Sequence, residues 1–180
     1  MASRPFDRRS FLAPLALLIG LFAAGCGDVQ SNPGPSEANP LDPEESALIA
    51  ALNKLRAGAG ITAPVQVCVS LNASAAAHAD DMRDNAYLDD NGQDGSTPRS
   101  RGCAAGYKPA CDDTSTPMAE VVASGLLSGT DTLPQWEKED MTKSLLLNPS
   151  LSVIGIGRAV QGDVPVWAMD LASKDDASCH

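Results

Sequence analysis

Aromatic side chains make up only 4% of the 180 residues, and only two histidines are present, His78 and His180. A general base working near neutral pH is usually a histidine or a tuned carboxylate, so imidazole chemistry has very few residues to draw on. Serine is plentiful, but neither a G-x-S-x-G elbow nor an S-x-x-K pair occurs. Positive charge is also scarce: 13 Lys+Arg stand against 23 Asp+Glu, for a formal charge of −10. Such a surface repels phosphate backbones, and no nucleic-acid partner is expected. No apolar run reaches membrane-spanning length. The uncharged stretch Phe11 to Ala24 would cover about 21 Å as a helix, against a hydrocarbon core of roughly 30 Å.

What is present is 43% hydrophobic and 20% charged, close to ordinary globular usage. The length suits one domain and an appendage. Residues 1–25 read as an export signal: a basic start, a short apolar stretch and small residues before a cut site. Arg8-Arg9-Ser10-Phe11-Leu12 resembles a twin-arginine signal, with an ordinary Sec signal as the alternative. Ala23-Ala24-Gly25-Cys26 resembles a bacterial lipobox, in which the Cys26 thiol accepts diacylglycerol. An ordinary secretory cut beside an incidental cysteine is the other reading. Cleavage removes three arginines and one aspartate, taking the formal charge from −10 to −12. Attachment through a basic patch on anionic lipid is then ruled out as the main mechanism, and acyl chains must do the anchoring.

Residues 26–41 are the lipidated cysteine and a Pro/Gly-rich polar tether, without apolar periodicity. The folded part is expected over 42–180. Asp42 can cap a helix, Pro43 suits its first position and Glu45 completes a capping box. Leu48, Ile49, Leu52 and Leu55 recur at helical spacing until Gly58 and Gly60. A second, alanine-rich helix is expected over Asn72–Tyr87, a loop over Asp89–Gly95, a third helix starting near Pro117 and a fourth over Pro134–Leu147. Two strands, Val153–Ala159 and Val164–Leu171, join at Gln161-Gly162-Asp163. This order predicts an α+β fold with helices packed on an antiparallel sheet.

Several short motifs, in this order and spacing, resemble the CAP superfamily of cysteine-rich secretory and pathogenesis-related proteins. They are Asn53-Lys54-Leu55-Arg56 with Gly58 and Gly60, Leu71 with Ala75–Met82, Asp94-Gly95-Ser96 with Arg101 and Tyr107, Ala119-Glu120-Val121-Val122, Trp136, Leu147-Asn148-Pro149, Ile154-Gly155-Ile156-Gly157 and Trp167. The resemblance implies an α-β-α sandwich with a cavity often lined by two histidines and two acidic residues; in some members the histidines bind zinc. The histidine positions fall on Asp90 and Thr142, and the acidic positions on Glu120 and Glu139. Both histidines are thus replaced, and zinc normally needs imidazole or thiolate. No cofactor is expected.

Glu120 and Glu139 are the candidate catalytic residues, as a paired-carboxylate hydrolase site on envelope glycans or peptides. The alternative is a buried Glu120 bonded to backbone amides. Asp89, Asn91, Gln93 and Asp94 only loosely resemble a calcium loop, since its twelfth position is Ser100; a calcium-dependent adhesion module rests on them. His78 reads as a partly exposed helix residue and His180 as trailing in solvent. Cys68, Cys103, Cys111 and Cys179 can form two disulfides in three ways, the simplest being Cys103–Cys111 with Cys68–Cys179. The expected protein is a lipid-anchored, non-catalytic binding or scaffold module of a bacterial envelope, with a cavity that has lost its histidines and with the outer membrane favoured because Gly27 is not a retention aspartate. Its partner would be an envelope protein, a lipid or a glycan.

Overall fold

The computed structural model describes residues 41–161 and 164–180. The expected export signal, lipobox and nearly all of the expected tether lie outside the described residues, as do Gly162 and Asp163 of the expected turn. No described helix is long and apolar enough to cross a membrane.

Helix α1 (Pro43–Gly58) begins with the expected capping box: the Asp42 side chain accepts from the Glu45 N–H, and Glu45 accepts from the Asp42 N–H. Leu48 and Leu52 are fully buried. Arg56 is buried with them, donating to the carbonyls of Leu146 at 2.7 Å and Asn148 at 3.2 Å. A guanidinium there satisfies carbonyls that the end of helix α6 (Asp140–Leu146) leaves free.

Strand β1 (Gln66–Val67) leads into helix α2 (Val69–Asp84). Two short helices follow, α3 (Pro98–Ala104) and α4 (Lys108–Asp112), then strand β2 (Met118–Ser124), helix α5 (Gly129–Trp136), α6, and strands β3 (Val153–Gln161) and β4 (Val164–Ala172). The sheet order is β1-β3-β4-β2. All pairings are antiparallel except β1 with β3, so the sheet is mixed at that edge. Ile154, Ile156, Trp167, Met169, Leu171, Val121 and Ala123 pack with Leu48, Leu52, Leu133 and Trp136. The alternate residues of the same strands face α2, where Ala159, Ala168 and Val166 meet Ala75, Ala79 and Met82. Period-two alternation therefore gives each face its own helical layer, an α-β-α sandwich.

Three expectations need correction. The segment after Pro117 is strand β2, not a helix; Val121 and Val122 are β-branched, and the segment pairs with β4 from Met118↔Ala172 to Ser124↔Val166. The single helix over Pro134–Leu147 is two helices, because Ser128 caps an earlier start and the chain breaks between Trp136 and Asp140. Helix α2 begins and ends earlier than expected. Cys68 is already its N-cap, and Ala86, at φ 54°, turns the chain out before Tyr87.

Disulfides join Cys68 to Cys179 and Cys103 to Cys111. The first spans 111 residues and holds the C-terminal segment against β1. In the chain-entropy account such a closure contributes about 4–5 kcal/mol. His180 does not simply trail: its side chain is exposed, but its backbone exchanges hydrogen bonds with Val67.

Candidate functional site

The site lies between α2 and the sheet. Gly155 and Gly157 of β3 let the α2 backbone sit almost directly on the strand: a Cβ on Gly155 would lie 2.0 Å from the Leu71 carbonyl carbon, and one on Gly157 2.2 Å from Ala76 N. The Asn72 side chain closes the contact by accepting from Ile156 N–H at 2.9 Å. About one and two turns along α2 from Leu71, Ser74 and His78 look down on the neighbouring strands, where Asp170 of β4 and Glu120 of β2 are cross-strand partners on this face.

All four side chains are buried, His78 to 1% exposure and Asp170 to 0%. Glu120 is held by Arg101 of α3, whose Nη2 donates to Oε2 at 2.7 Å. The same guanidinium donates to the carbonyls of Asp90 and Ser96, so it ties the loop between α2 and α3 to strand β2. His78 Nε2 is 3.4 Å from the same Glu120 oxygen and 2.9 Å from the Asp89 carbonyl. A carbonyl only accepts, so Nε2 carries the proton and Nδ1, without a partner, is the bare nitrogen of the neutral ring. Among the described residues Ser74 Oγ, both Asp170 oxygens and Glu120 Oε1 also make no hydrogen bond of ordinary geometry, although the Ser74 hydroxyl is near enough to Asp170 to act on its carboxyl. Tyr87 donates to Asp81 beside the cluster and meets the His78 ring edge-on. Outside lies a cleft of about 410 Å³ lined by His78, Asp81, Asp94, Ser96, Ser100 and Arg101.

Burial pushes both carboxyls far above their ordinary range. For Glu120 the negative charge of Asp170 adds to the effect, while Arg101 opposes it. For Asp170 the Ser74 hydroxyl and Arg101 pull downward without undoing it. One guanidinium faces two buried carboxyls, so at neutral pH the pair keeps a proton, and contact with Arg101 places the charge on Glu120. Burial lowers the His78 pKa, so the ring is neutral.

These shifts set a pH dependence of stability. A carboxyl with a raised native pKa adds stability that is full below its unfolded value and is lost as pH climbs through the native one. His78, with a lowered pKa, contributes above about 6.5 and loses that contribution on acidification. Urea midpoints should therefore be higher at pH 6 than at pH 8.5. In Asp170→Asn the fall over that interval should largely disappear; an unchanged fall would show that the cluster does not titrate there.

The positions expected from the sequence do not converge. Glu120 is central, but its partners are Arg101 and His78 rather than backbone amides. Glu139 is exposed at the N-cap of α6 and Thr142 is half-buried one turn on, so the Glu120–Glu139 pairing is corrected to Glu120 with Asp170. Asp90 offers its carbonyl to Arg101, and its carboxylate is exposed and bonded to Asn91. His78, expected to be partly exposed, is in the buried cluster. In the loop, Asp89 accepts from Asn91 N–H and Asp94 from Ser96 N–H, so the calcium candidates cap their own turns. Among the described residues no group of three His, Cys, Asp or Glu is placed to hold a metal. The cavity residues do not fit zinc: the one imidazole turns an N–H to a carbonyl, and a guanidinium already neutralises the carboxylate. Asp170 gave one usable signal in sequence, an acid at an inward position of an otherwise apolar strand. Arg101 gave none beyond its place in the loop motif.

The cysteine-rich secretory protein family, CAP, matches residues 49–171. The chain belongs to the CAP family. No curated protein sequence matches it. Among solved structures it is similar to an outer surface protein of Borrelia burgdorferi, with TM-score 0.62 and 18% identity over 77% of this chain and 99% of that one. An extracellular SCP-domain protein of Bacillus anthracis is similar at TM-score 0.58 and 18% identity, over 76% of this chain but 45% of its own. At these identities the likeness is one of CAP fold. In the CAP frame of this chain the buried acid Glu120 is locked by Arg101, and the one imidazole beside it is His78 of α2.

Proposed function

We propose that this CAP protein is a lipid-anchored, extracytoplasmic module of a bacterial envelope, outer membrane favoured, that binds or scaffolds a partner without catalysing a reaction. The observation that carries the non-catalytic part is the state of Glu120. Its side chain has no exposed surface and its charge is spent on Arg101 at 2.7 Å. A carboxylate used as general acid or nucleophile must reach substrate and change its bonding there. This one instead tethers a loop. The anchoring part rests on the lipobox-like Ala23-Ala24-Gly25-Cys26 and the polar tether behind it. The outer-surface relative and the extracellular SCP-domain relative support an exported location.

The mature chain should start at Cys26, carry diacylglycerol by intact mass, and fractionate with membranes, whereas Cys26→Ala should be recovered in the soluble fraction. A Cys26→Ala chain that stays membrane-bound would sink the anchoring reading. Envelope glycans and peptides should pass through incubation uncleaved. Cleavage that disappears in a folded Glu120→Gln variant would replace this reading with a hydrolase.

A further inference from the structure

Large hydrophobic side chains exposed among the described residues are Leu88, Leu127, Met141, Val160 and Val164, at 43% to 83% exposure. All but Met141 gather at one end of the sheet. Val160 and Val164 flank the β3–β4 turn, paired next to one another through Gln161↔Val164 and Val160↔Pro165. Leu127 follows the end of β2, and Leu88 follows α2, where it shares a shallow cleft with Tyr87, Val164 and Val166. Val160 and Leu127 lie toward the α1 and α5 layer, and Val164 and Leu88 toward α2. The apolar side chains thus surround the hairpin end from both faces of the sheet.

The chain enters the domain at this same end. Asp42, the N-cap of α1, is ion-paired with Arg158 of β3 at 3.0 Å. That guanidinium also donates to the Leu127 carbonyl at 3.1 Å and stacks 5.2 Å above the Trp167 ring. One side chain therefore fastens the entry point of the tether to the apolar rim. Fifteen residues, as in 27–41, average about 20 Å end to end by coil scaling and about 50 Å fully extended, so lipid held at Cys26 is on average nearer to this end of the sheet than to the opposite one.

We propose that this hairpin end is the face of the domain that rests on the lipid surface, with Leu127, Val160, Val164 and Leu88 seated at the headgroup–acyl boundary. The inference rests on the lipid anchor at Cys26. An acidic mature chain is not drawn to anionic headgroups, so the contact is apolar and suits electroneutral lipid. Side chains spread around the adjoining ends of two paired strands also fit a deformable boundary better than a flat protein face.

The test is hydrogen exchange of the mature acylated chain in phosphatidylcholine vesicles against the Cys26→Ala chain in solution. Exchange in segments 124–128 and 158–166 should slow at least threefold on vesicles, while 112–116, at the opposite end of the sheet, stays unchanged. The anchored Leu127→Ser/Val164→Ser variant, altered only at exposed positions, should lose that protection. Equal exchange at the hairpin end in both states, or protection at 112–116 instead, overturns the proposal; the first outcome leaves the patch to a protein partner. If Cys26 carries no lipid, the anchoring reading has failed by itself. The same comparison on chain coupled through the Cys26 thiol to a maleimide lipid then still decides which end meets the surface.

Discussion

Gly155→Ala should lower the stability of the domain by about 3 kcal/mol, at the upper end of what overpacking a core costs. The added methyl group would meet the Leu71 carbonyl carbon at 2.0 Å, the Leu71 oxygen at 2.3 Å and Asn72 N at 2.4 Å. All three are backbone atoms of a helix, so no side-chain rotation can clear them. Helix α2 has to lift away, which also stretches the Asn72 bond to Ile156 N–H. The displacement would reach the site, since Ser74 and His78 are carried on the same helix. Gly58→Ala is the control: nothing stands within 4 Å of its Cβ position, and helix propensity there should hold or slightly raise stability. Urea unfolding of the two variants against the parent chain decides it. Equal midpoints would mean the α2–β3 contact is far looser than the structure has it.

Arg101→Ala should cost about 3–5 kcal/mol near pH 8, the usual consequence of leaving a buried charge without its partner. Arg101 is the cation in contact with Glu120, and it holds Asp90 and Ser96 of the loop as well. The loss should shrink as pH falls, because the two buried carboxyls can then take up protons and no longer need a counter-charge. Parallel urea titrations at about pH 5 and pH 8 measure this directly. A penalty independent of pH would assign Arg101 to packing and loop hydrogen bonds alone. Arg101→Lys should recover only part of the loss, since an ammonium cannot reach the carboxylate and two carbonyls in the fixed fork of a guanidinium.

The parts of the fold that came out of the sequence are those set by local pattern. The capping box at Asp42 and Glu45, the stripe Leu71, Ala75, Ala79, Met82 and the alternation in β3 and β4 each need only near neighbours along the chain. Strand β2 is not legible locally, because Pro117 is as good a start for a helix as for a strand. What makes it a strand is β4, which is distant in sequence. Likewise β1 is two residues long and exists because Val153 and Ile154 lie on one side of it and His180 bonds Val67 on the other.

The first helix, the paired strands β3 and β4, the CAP resemblance and the importance of Glu120 are legible along the chain, because each is written in spacing or in a short motif. What Glu120 touches is set by packing. Its acidic partner is 50 positions away through strand register, its cation comes from a short helix across the loop, and His78 is buried because two glycines let α2 settle on the sheet. Burial and cross-strand pairing are properties of the packed chain, and the electrostatics of the site follows from them rather than from any local run of residues.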